Sequence, residues 1–323
     1  MKNPLIRRRP SAPRLWVVLL CAGALAAGGW MGSRLLTPAG SGGTGILYRV
    51  TGGKHPLTVL GSIHVGNADM LPYGEDIQSA LKAADVLVLE CDTADTQEAQ
   101  ALLFYPEGED LTAHISPEIW EELKGVLPQI GLTEENARTM KPWAISSTAA
   151  VRTTMQRMNV RRVSDALKYG VEQQILSMAK ELPRVYMESA LSQYEALEAM
   201  SAPLQEYLLK DAIEAVLHPE MGGMDGDMAH WPEWWKEGNA DAFAESYLRE
   251  MAEGGDLLTE YHELLNRSRN QRMARVLRDL MEGDEYENPF AVVGLMHLVL
   301  PGDSILSELE NMGYTVRRVE AQP

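Results

Sequence analysis

Two short stretches near opposite ends of this chain are built alike, and each places a histidine just after an apolar run. The first contains Gly-Ser-Ile-His and ends at His64, and the second contains Gly-Leu-Met-His and ends at His297. The apolar runs before them have the length and composition of buried strands, and a helical stretch and a further strand follow each unit. Matching Gly-x-x-His units at both ends of one domain therefore predict that the two imidazole rings come together.

Periodicity along the rest of the chain predicts the fold class. Short apolar runs alternate with helical patterns, which is typical of a largely parallel sheet covered by helices on both faces. The expected strands are 46–50 and 57–60, which form a hairpin, followed by 86–90, 184–187, 291–293 and 315–319. Helices are expected at 75–83 and 303–312, and residues 98–285 are mostly helical in pattern. The sequence thus predicts a mixed α/β (α+β) domain whose largely parallel central sheet is built from both chain ends around a large helical insertion.

The N-terminal residues differ from the rest in charge and composition. Residues 1–14 are basic and are predicted to stay in the cytoplasm, whereas residues 15–33 carry no charge and approach the roughly 20 residues that a membrane-spanning helix needs. Residues 15–33 are therefore predicted to be an uncleaved signal anchor or a cleaved signal peptide. Residues 34–45 are predicted to be a flexible linker. Residues 46–323 are expected to form a single domain outside the cytoplasm, either tethered as a single-pass membrane protein or, after cleavage, secreted or periplasmic.

Charge and cysteine content exclude two classes of function. The net charge is −17, and the first 45 residues hold six basic residues and no acid, so the remainder carries −23. An acidic body of this kind repels nucleic acid, so a nucleic-acid partner is not expected. Cys21 lies in the apolar N-terminal segment, which leaves Cys91 as the single cysteine of the domain. An internal disulfide and a four-cysteine zinc site are both excluded there.

Three side chains are expected to meet at one edge of the sheet. His64, His297 and Glu90 each lie at or just beyond the carboxyl end of a predicted strand, which is where functional groups collect in open α/β sheets. Two imidazoles and a carboxylate suit a divalent ion such as Zn²⁺, Mn²⁺, Co²⁺ or Fe²⁺, and a metal with open positions activates bound water near neutral pH. A histidine at a strand end is also a common structural hydrogen-bonding residue, so this alternative stays open.

Further short motifs match one known family. They are Gly61-Ser62-Ile63-His64, Val86–Glu90, Met140-Lys141-Pro142-Trp143, Gly170-Val171-Glu172, Glu188-Ser189 with Gln193, Arg269-Asn270, Gly294-Leu295-Met296-His297-Leu298 and Gly313-Tyr314. On these motifs the chain from Ile46 to Val319 resembles the TraB/GumN family, which includes the TIKI ectodomains. Ser62 and Glu172 depart from the family pattern, which has Thr and Asp at these positions.

The resemblance implies a fold and an activity. The fold would be akin to erythromycin esterase and to the haem-binding ChaN-like proteins, and the activity would be metal-dependent hydrolysis, since TIKI members are described as Mn²⁺- or Co²⁺-type metalloproteases. The two family histidines and the family glutamate fall on His64, His297 and Glu90, which are therefore predicted to bind Mn, Co or Zn or to activate water. Glu188, which ends a predicted strand, and Arg269, which is expected to hold an acid in the site, are predicted as supporting catalytic residues.

Three functions remain open on this basis. The first is a metalloprotease-like hydrolase acting on a peptide or protein. The second is a metal-independent, esterase-like hydrolase in which a histidine and Glu90 act as general base. The third is a binding protein that captures a peptide signal or haem without turnover. The remaining histidines have no matched partners and are assigned no role: His55, His114, His218, His230 and His262.

Overall fold

Six strands form one central sheet in the computed structural model, which describes residues 43–92, 97–157, 167–218 and 227–320. The strands are β1 (Leu47–Thr51), β2 (Leu57–Ser62), β3 (Val86–Cys91), β4 (Arg184–Glu188), β5 (Pro289–Gly294) and β6 (Thr315–Arg318). Their order across the sheet is β4-β3-β5-β2-β1-β6. The predicted α/β class and the assembly of the sheet from both chain ends are confirmed.

The sheet is parallel from β4 to β2 and antiparallel at the opposite edge. β4, β3, β5 and β2 pair in parallel, whereas β1 runs antiparallel to both β2 and β6. The hairpin that the sequence predicts is therefore present as β1 and β2. The two strands that carry the Gly-x-x-His units are direct neighbours, with Ser62 opposite Gly294. This register brings the two histidine-bearing turns to the same edge of the sheet.

Helices cover the sheet and form the insertion between its halves. They are α1 (Glu75–Ala83), α2 (Gln97–Ala101), α3 (Pro117–Ile130), α4 (Glu134–Thr139), α5 (Pro142–Arg157), α6 (Val171–Met178), α7 (Ala190–Glu198), α8 (Ala202–Leu217), α9 (Trp231–Glu237), α10 (Ala240–His262), α11 (Ser268–Glu282), α12 (Met296–Val299) and α13 (Ile305–Asn311). Short 3₁₀ turns occupy Ala68–Met70, Leu111–Ala113 and Met228–His230, and one π-helical turn, Glu263–Arg267, joins α10 to α11.

Strand alternation divides the core between the two faces of the sheet. In β3, Leu87 and Leu89 pack with α1, α6, α9 and α10, whereas Val86 and Val88 face α11 and α13. Side chains on a strand alternate with a period of two, so Glu90 continues the row of Val86 and Val88 toward α11. Sheet geometry thus directs this carboxylate to the face on which α11 lies.

The helical insertion has its own apolar cluster, to which α3, α5, α7 and α8 contribute. No helix in the described ranges is long and apolar enough to cross a membrane. The predicted segments 1–14 and 15–33 lie outside those ranges. Gly43 and Thr44, at the end of the predicted linker, donate backbone hydrogen bonds to the Pro72 and Lys236 carbonyls at 2.8 Å, which attaches this end of the linker to the domain.

Candidate active site

All five residues that the sequence singles out lie at the carboxyl edge of the parallel strands or on the helix beside it. His64 follows β2, Glu90 and Glu188 lie near the ends of β3 and β4, and His297 is in the short helix after β5. Arg269 reaches the site from the first turn of α11. The π-helical turn just before α11 shifts the helix register there, and such turns are frequent at functional sites.

A buried guanidinium holds two of these carboxylates together. Arg269 Nε donates to Glu188 Oε2 at 3.0 Å, and its Nη2 lies 3.2 Å from Glu90 Oε2 and 2.9 Å from Glu188 Oε2. Its Nη1 donates to the Leu265 carbonyl at 3.1 Å, and Gln193 Nε2 reaches both carboxylates at 3.4–3.5 Å. Glu90 and Glu188 are thereby held side by side by one guanidinium, and the expected role of Arg269 in holding an acid fits this geometry.

The second oxygen of Glu90 is bound by the backbone of the Gly-x-x-His unit that ends at His297. The Gly294 N–H donates a short hydrogen bond to Glu90 Oε1. A Cβ atom at Gly294 would lie 2.8 Å from that oxygen and 3.5 Å from His297 Cδ2. Only glycine allows this approach, so the glycine of the unit is required for contact with Glu90.

The orientation of the His297 ring is set by an amide. Asn270 Nδ2 donates to the Asp303 backbone carbonyl at 2.7 Å, which leaves Asn270 Oδ1 facing His297 Nδ1 at 2.6 Å. A carbonyl oxygen can only accept, so His297 Nδ1 must carry the proton. In the neutral ring, Nε2 is then the unprotonated nitrogen.

Burial favours the neutral form of both histidines. It is the main cause that lowers the pKa of His297 well below its ordinary value, and Arg269 and His64 lower it further. Burial also lowers the pKa of His64, although the nearby Glu90 charge raises it in part. The pKa of His297 therefore depends in part on His64, the histidine of the other Gly-x-x-His unit, whereas the pKa of His64 depends on Glu90 and Arg269.

A cavity of about 540 Å³ opens from these groups into the helical insertion. At the sheet edge it is lined by Ser62, His64, Glu90, Arg269 and His297, and farther out by Trp143, Leu197, Met200, Tyr207, Ala212, Tyr247, Met251, Leu258 and Tyr261. Most of the outer lining is apolar. Ser62 Oγ is buried, and it has no hydrogen-bond partner among the described residues.

The predicted metal ligands are placed together but are not arranged as a metal site. No group of three or more His, Cys, Asp or Glu side chains in the described part of the chain is positioned to hold an ion. Both oxygens of Glu90 are already used, one by Gly294 and the other by Arg269 and Gln193. A carboxylate bound to a guanidinium does not fit the role of third ligand in this conformation. The set His64, His297 and Glu90 stays a prediction as metal ligands.

Comparison with known proteins identifies the family of this chain. The model of the TraB/PrgY/gumN family matches residues 46–318, a span that includes every residue of the site. The chain belongs to the TraB/PrgY/gumN family. It is 30% identical over 147 residues to "Uncharacterized protein YbaP" of Escherichia coli (strain K12), which is 45% of this chain and 53% of that protein. The protein of the same name from Shigella flexneri is 30% identical over 141 residues, 43% of this chain and 50% of the relative.

The chain thus spans about half the length of the curated relatives it matches. No solved structure gives a significant match. The resemblance to the family that the sequence motifs predict is confirmed, and the relatives' printed names assign no activity.

Sequence reasoning gave no role to several groups that complete the site. Gln193 and Asn270 fall within recognised motifs, and the structure shows that they position Glu90 and His297. His262, which the sequence assigned no role, is hydrogen-bonded between Tyr247 and Asp303. A signal for Asn270 was present, since it directly follows Arg269 in a family motif. Only the fold connects His262 to its partners.

Proposed function

We propose that this protein is a hydrolase that cleaves an ester or amide bond, with His297 as the general base. The observation that carries the proposal is the fixed tautomer of His297: its Nδ1 is bound to Asn270, and the ring lines the cavity with Nε2 as its basic nitrogen. A neutral imidazole with one nitrogen oriented by a neighbour is the usual form of a histidine base.

The mechanism follows from the residues around the cavity. His297 Nε2 takes a proton from water as the water oxygen attacks the substrate carbonyl carbon. The bond from that carbon to the leaving alcohol or amine then breaks, and the leaving group takes the proton from His297. The Ser62 hydroxyl, which is buried and unpartnered among the described residues, supplies a hydrogen-bond donor for substrate oxygen. Buried polar groups normally have partners, so the substrate is the natural partner for this hydroxyl. Glu90, paired with Arg269 at 3.2 Å, favours positive charge on the nearby His64 ring.

The cavity lining supports a peptide or protein substrate. Its outer part presents Trp143, Leu197 and Met251, which suit apolar side chains, while the polar groups converge at the sheet edge. The proposal includes action outside the cytoplasm, with residues 15–33 as signal anchor or signal peptide. Its support is the charge distribution of the N-terminus.

A metal-dependent peptidase is the second candidate, and one observation favours it. Histidines that bind metals usually donate their other ring N–H to a carbonyl or carboxylate, as His297 does to Asn270. His64 and His297 would hold the ion, which would supply an activated water. Binding would require Glu90 to exchange a partner, since Arg269 and Gly294 occupy its oxygens.

Turnover of a fluorogenic peptide library by the purified protein tests the proposal. His297→Gln should lower kcat by about 10²–10⁴-fold, the usual contribution of a general base. His55→Gln, at a turn residue outside the cavity, is the matched control and should act as wild type. Equal rates for wild type and His297→Gln would reject the base role. Loss of wild-type activity in chelator, with recovery on added Mn²⁺, would favour the metal-dependent candidate. Peptide or haem binding without turnover would favour the binding protein.

A further inference from the structure

A second chain of hydrogen bonds lies in the same cavity, away from the strand ends. The Tyr247 hydroxyl is 3.0 Å from His262 Nδ1, and His262 Nε2 is 3.0 Å from Asp303 Oδ2. Tyr247 lines the cavity, whereas His262 and Asp303 lie behind it. The sequence of hydroxyl, imidazole and carboxylate is the arrangement that activates a nucleophile in hydrolases.

The protons in this chain can be assigned from the charges around Asp303. Arg267 Nε donates to Asp303 Oδ1 at 2.8 Å, and its Nη2 donates to Oδ2 at 2.5 Å. Hydrogen bonds from Arg267 are the main cause that lowers the pKa of Asp303, with a further contribution from His262. Asp303 is therefore an anion, and its Oδ2 accepts a hydrogen bond from His262 Nε2–H. In the neutral ring, His262 Nδ1 is then the acceptor, and Tyr247 donates to it.

A neighbouring hydrogen-bond donor would also stabilise negative charge on the Tyr247 oxygen. Asn266 Nδ2 donates a hydrogen bond of 2.7 Å to it, and Asn266 lies in the buried π-helical turn. When the phenol loses its proton to His262, the resulting oxygen anion faces two donors, the Asn266 amide and the new Nδ1–H of His262. The imidazolium in turn faces Asp303. The charge that develops on Tyr247 and the charge that develops on His262 are therefore each stabilised by a group that is already in position.

The relay and the candidate base share a support. The Asp303 side chain binds His262, and its backbone carbonyl binds Asn270, which orients His297. Helix α10, which carries Tyr247, also packs on α12, which carries His297. Tyr247 and His297 therefore line the same cavity, and Asp303 supports the residues that position both of them.

We propose that Tyr247 is a nucleophile, activated by His262 and Asp303, that accepts an acyl or sulfonyl group from an electrophile bound in the cavity. With an acyl substrate, a bond forms between the Tyr247 oxygen and the carbonyl carbon while the phenolic proton passes to His262 Nδ1. The bond to the leaving group then breaks, and the leaving group departs with that proton from His262. The aryl ester left on Tyr247 is a good substrate for water deprotonated by His297, and this last step rests on the proposed function.

Covalent labelling tests the nucleophile without knowledge of the natural substrate. The probe is phenylmethanesulfonyl fluoride, an apolar reagent. The Tyr247 oxygen attacks the sulfur of the reagent and displaces fluoride, and the phenolic proton passes to His262. Intact mass and peptide mapping of the full chain should show one sulfonyl adduct, located on Tyr247. Tyr207 and Tyr261, which line the same cavity, are internal controls and should stay unmodified.

Three variants complete the test. Tyr247→Phe should remove the adduct, and His262→Gln should slow its formation by about 100-fold or more, the lower range for a general base. Tyr314→Phe, which removes a hydrogen-bonded phenol on the surface, should label as wild type. The proposal is overturned if Tyr247 takes no adduct, if label spreads equally over the three cavity tyrosines, or if His262→Gln labels at the wild-type rate. Labelling with no peptide turnover would instead reject the hydrolase proposal alone.

Discussion

Removal of the Arg269 guanidinium should be the most damaging single change in the site. Its side chain is 3% exposed and contacts Glu188, also 3% exposed, and Glu90, 9% exposed. Arg269→Met keeps most of the volume but leaves two buried carboxylates facing each other, with the exposed Arg272 beside Glu188 as the remaining counter-charge. Loss of one partner from a buried ion pair costs about 3–5 kcal/mol, a large part of the roughly 5–15 kcal/mol that stabilises a typical domain.

Arg272 provides a matched control on the same helix. It also pairs with Glu188, at 3.5 Å, but its side chain is 48% exposed. Exposed pairs contribute about 0–1 kcal/mol, so Arg272→Met should lower the free energy of unfolding by no more than that. Urea unfolding at pH 7, followed by circular dichroism and tryptophan fluorescence, measures both variants.

A double variant separates charge from packing. If the cost of Arg269→Met comes from unpaired carboxylates, adding Glu188→Gln should recover part of the lost stability because one buried charge is gone. Losses of similar size for Arg269→Met and Arg272→Met, or no recovery in the double variant, would refute the electrostatic reasoning.

Two further predictions concern groups around Glu90. Burial raises the pKa of Glu172 from 4.5 to about 7, so the folded protein binds the extra proton and loses stability as pH rises through this window. Glu172→Gln should therefore match wild type below about pH 4.5 and exceed it by about 3 kcal/mol above pH 7 in urea unfolding, and a pH-independent difference would contradict this. Gly294→Ala should displace Glu90 and lower turnover, whereas Gly125→Ala, whose added methyl meets open space, should leave turnover unchanged; equal rates would reject the contact.

The fold was largely predictable because its signals are local. Buried strands such as β2 and β5 appear as apolar runs, and α1 was predicted with the observed ends, Glu75–Ala83. Cap residues fix such boundaries, as Ser116 does for α3 by accepting the Ile119 N–H. The order of the strands was harder to predict from the sequence, since only the repeated Gly-x-x-His unit indicated that β2 and β5 are neighbours.

The site was predictable in membership and less so in arrangement. Glu90, His64 and His297 could be placed at one edge because parallel strands end together. That Arg269 would bind both Glu90 and Glu188 depends on the direction in which α11 crosses the sheet, which no local pattern encodes. The same holds for His262, whose partners lie 15 residues before it and 41 residues after it along the chain.

The protonation state of the His297 ring decides whether this histidine can act as the general base. Nitrogen NMR of the ¹⁵N-histidine-labelled protein, assigned with His297→Gln, reports which ring nitrogen carries the proton. The proposed mechanism predicts a neutral ring protonated at Nδ1 and unprotonated at Nε2, both at pH 8 and at pH 6.5, because burial lowers the pKa of His297 well below the ordinary value of 6.5. Asn270→Ala should release this tautomer preference by removing the acceptor for Nδ1–H. A proton on Nε2 of the neutral ring, or an imidazolium at pH 7, would contradict His297 as the base that faces the cavity.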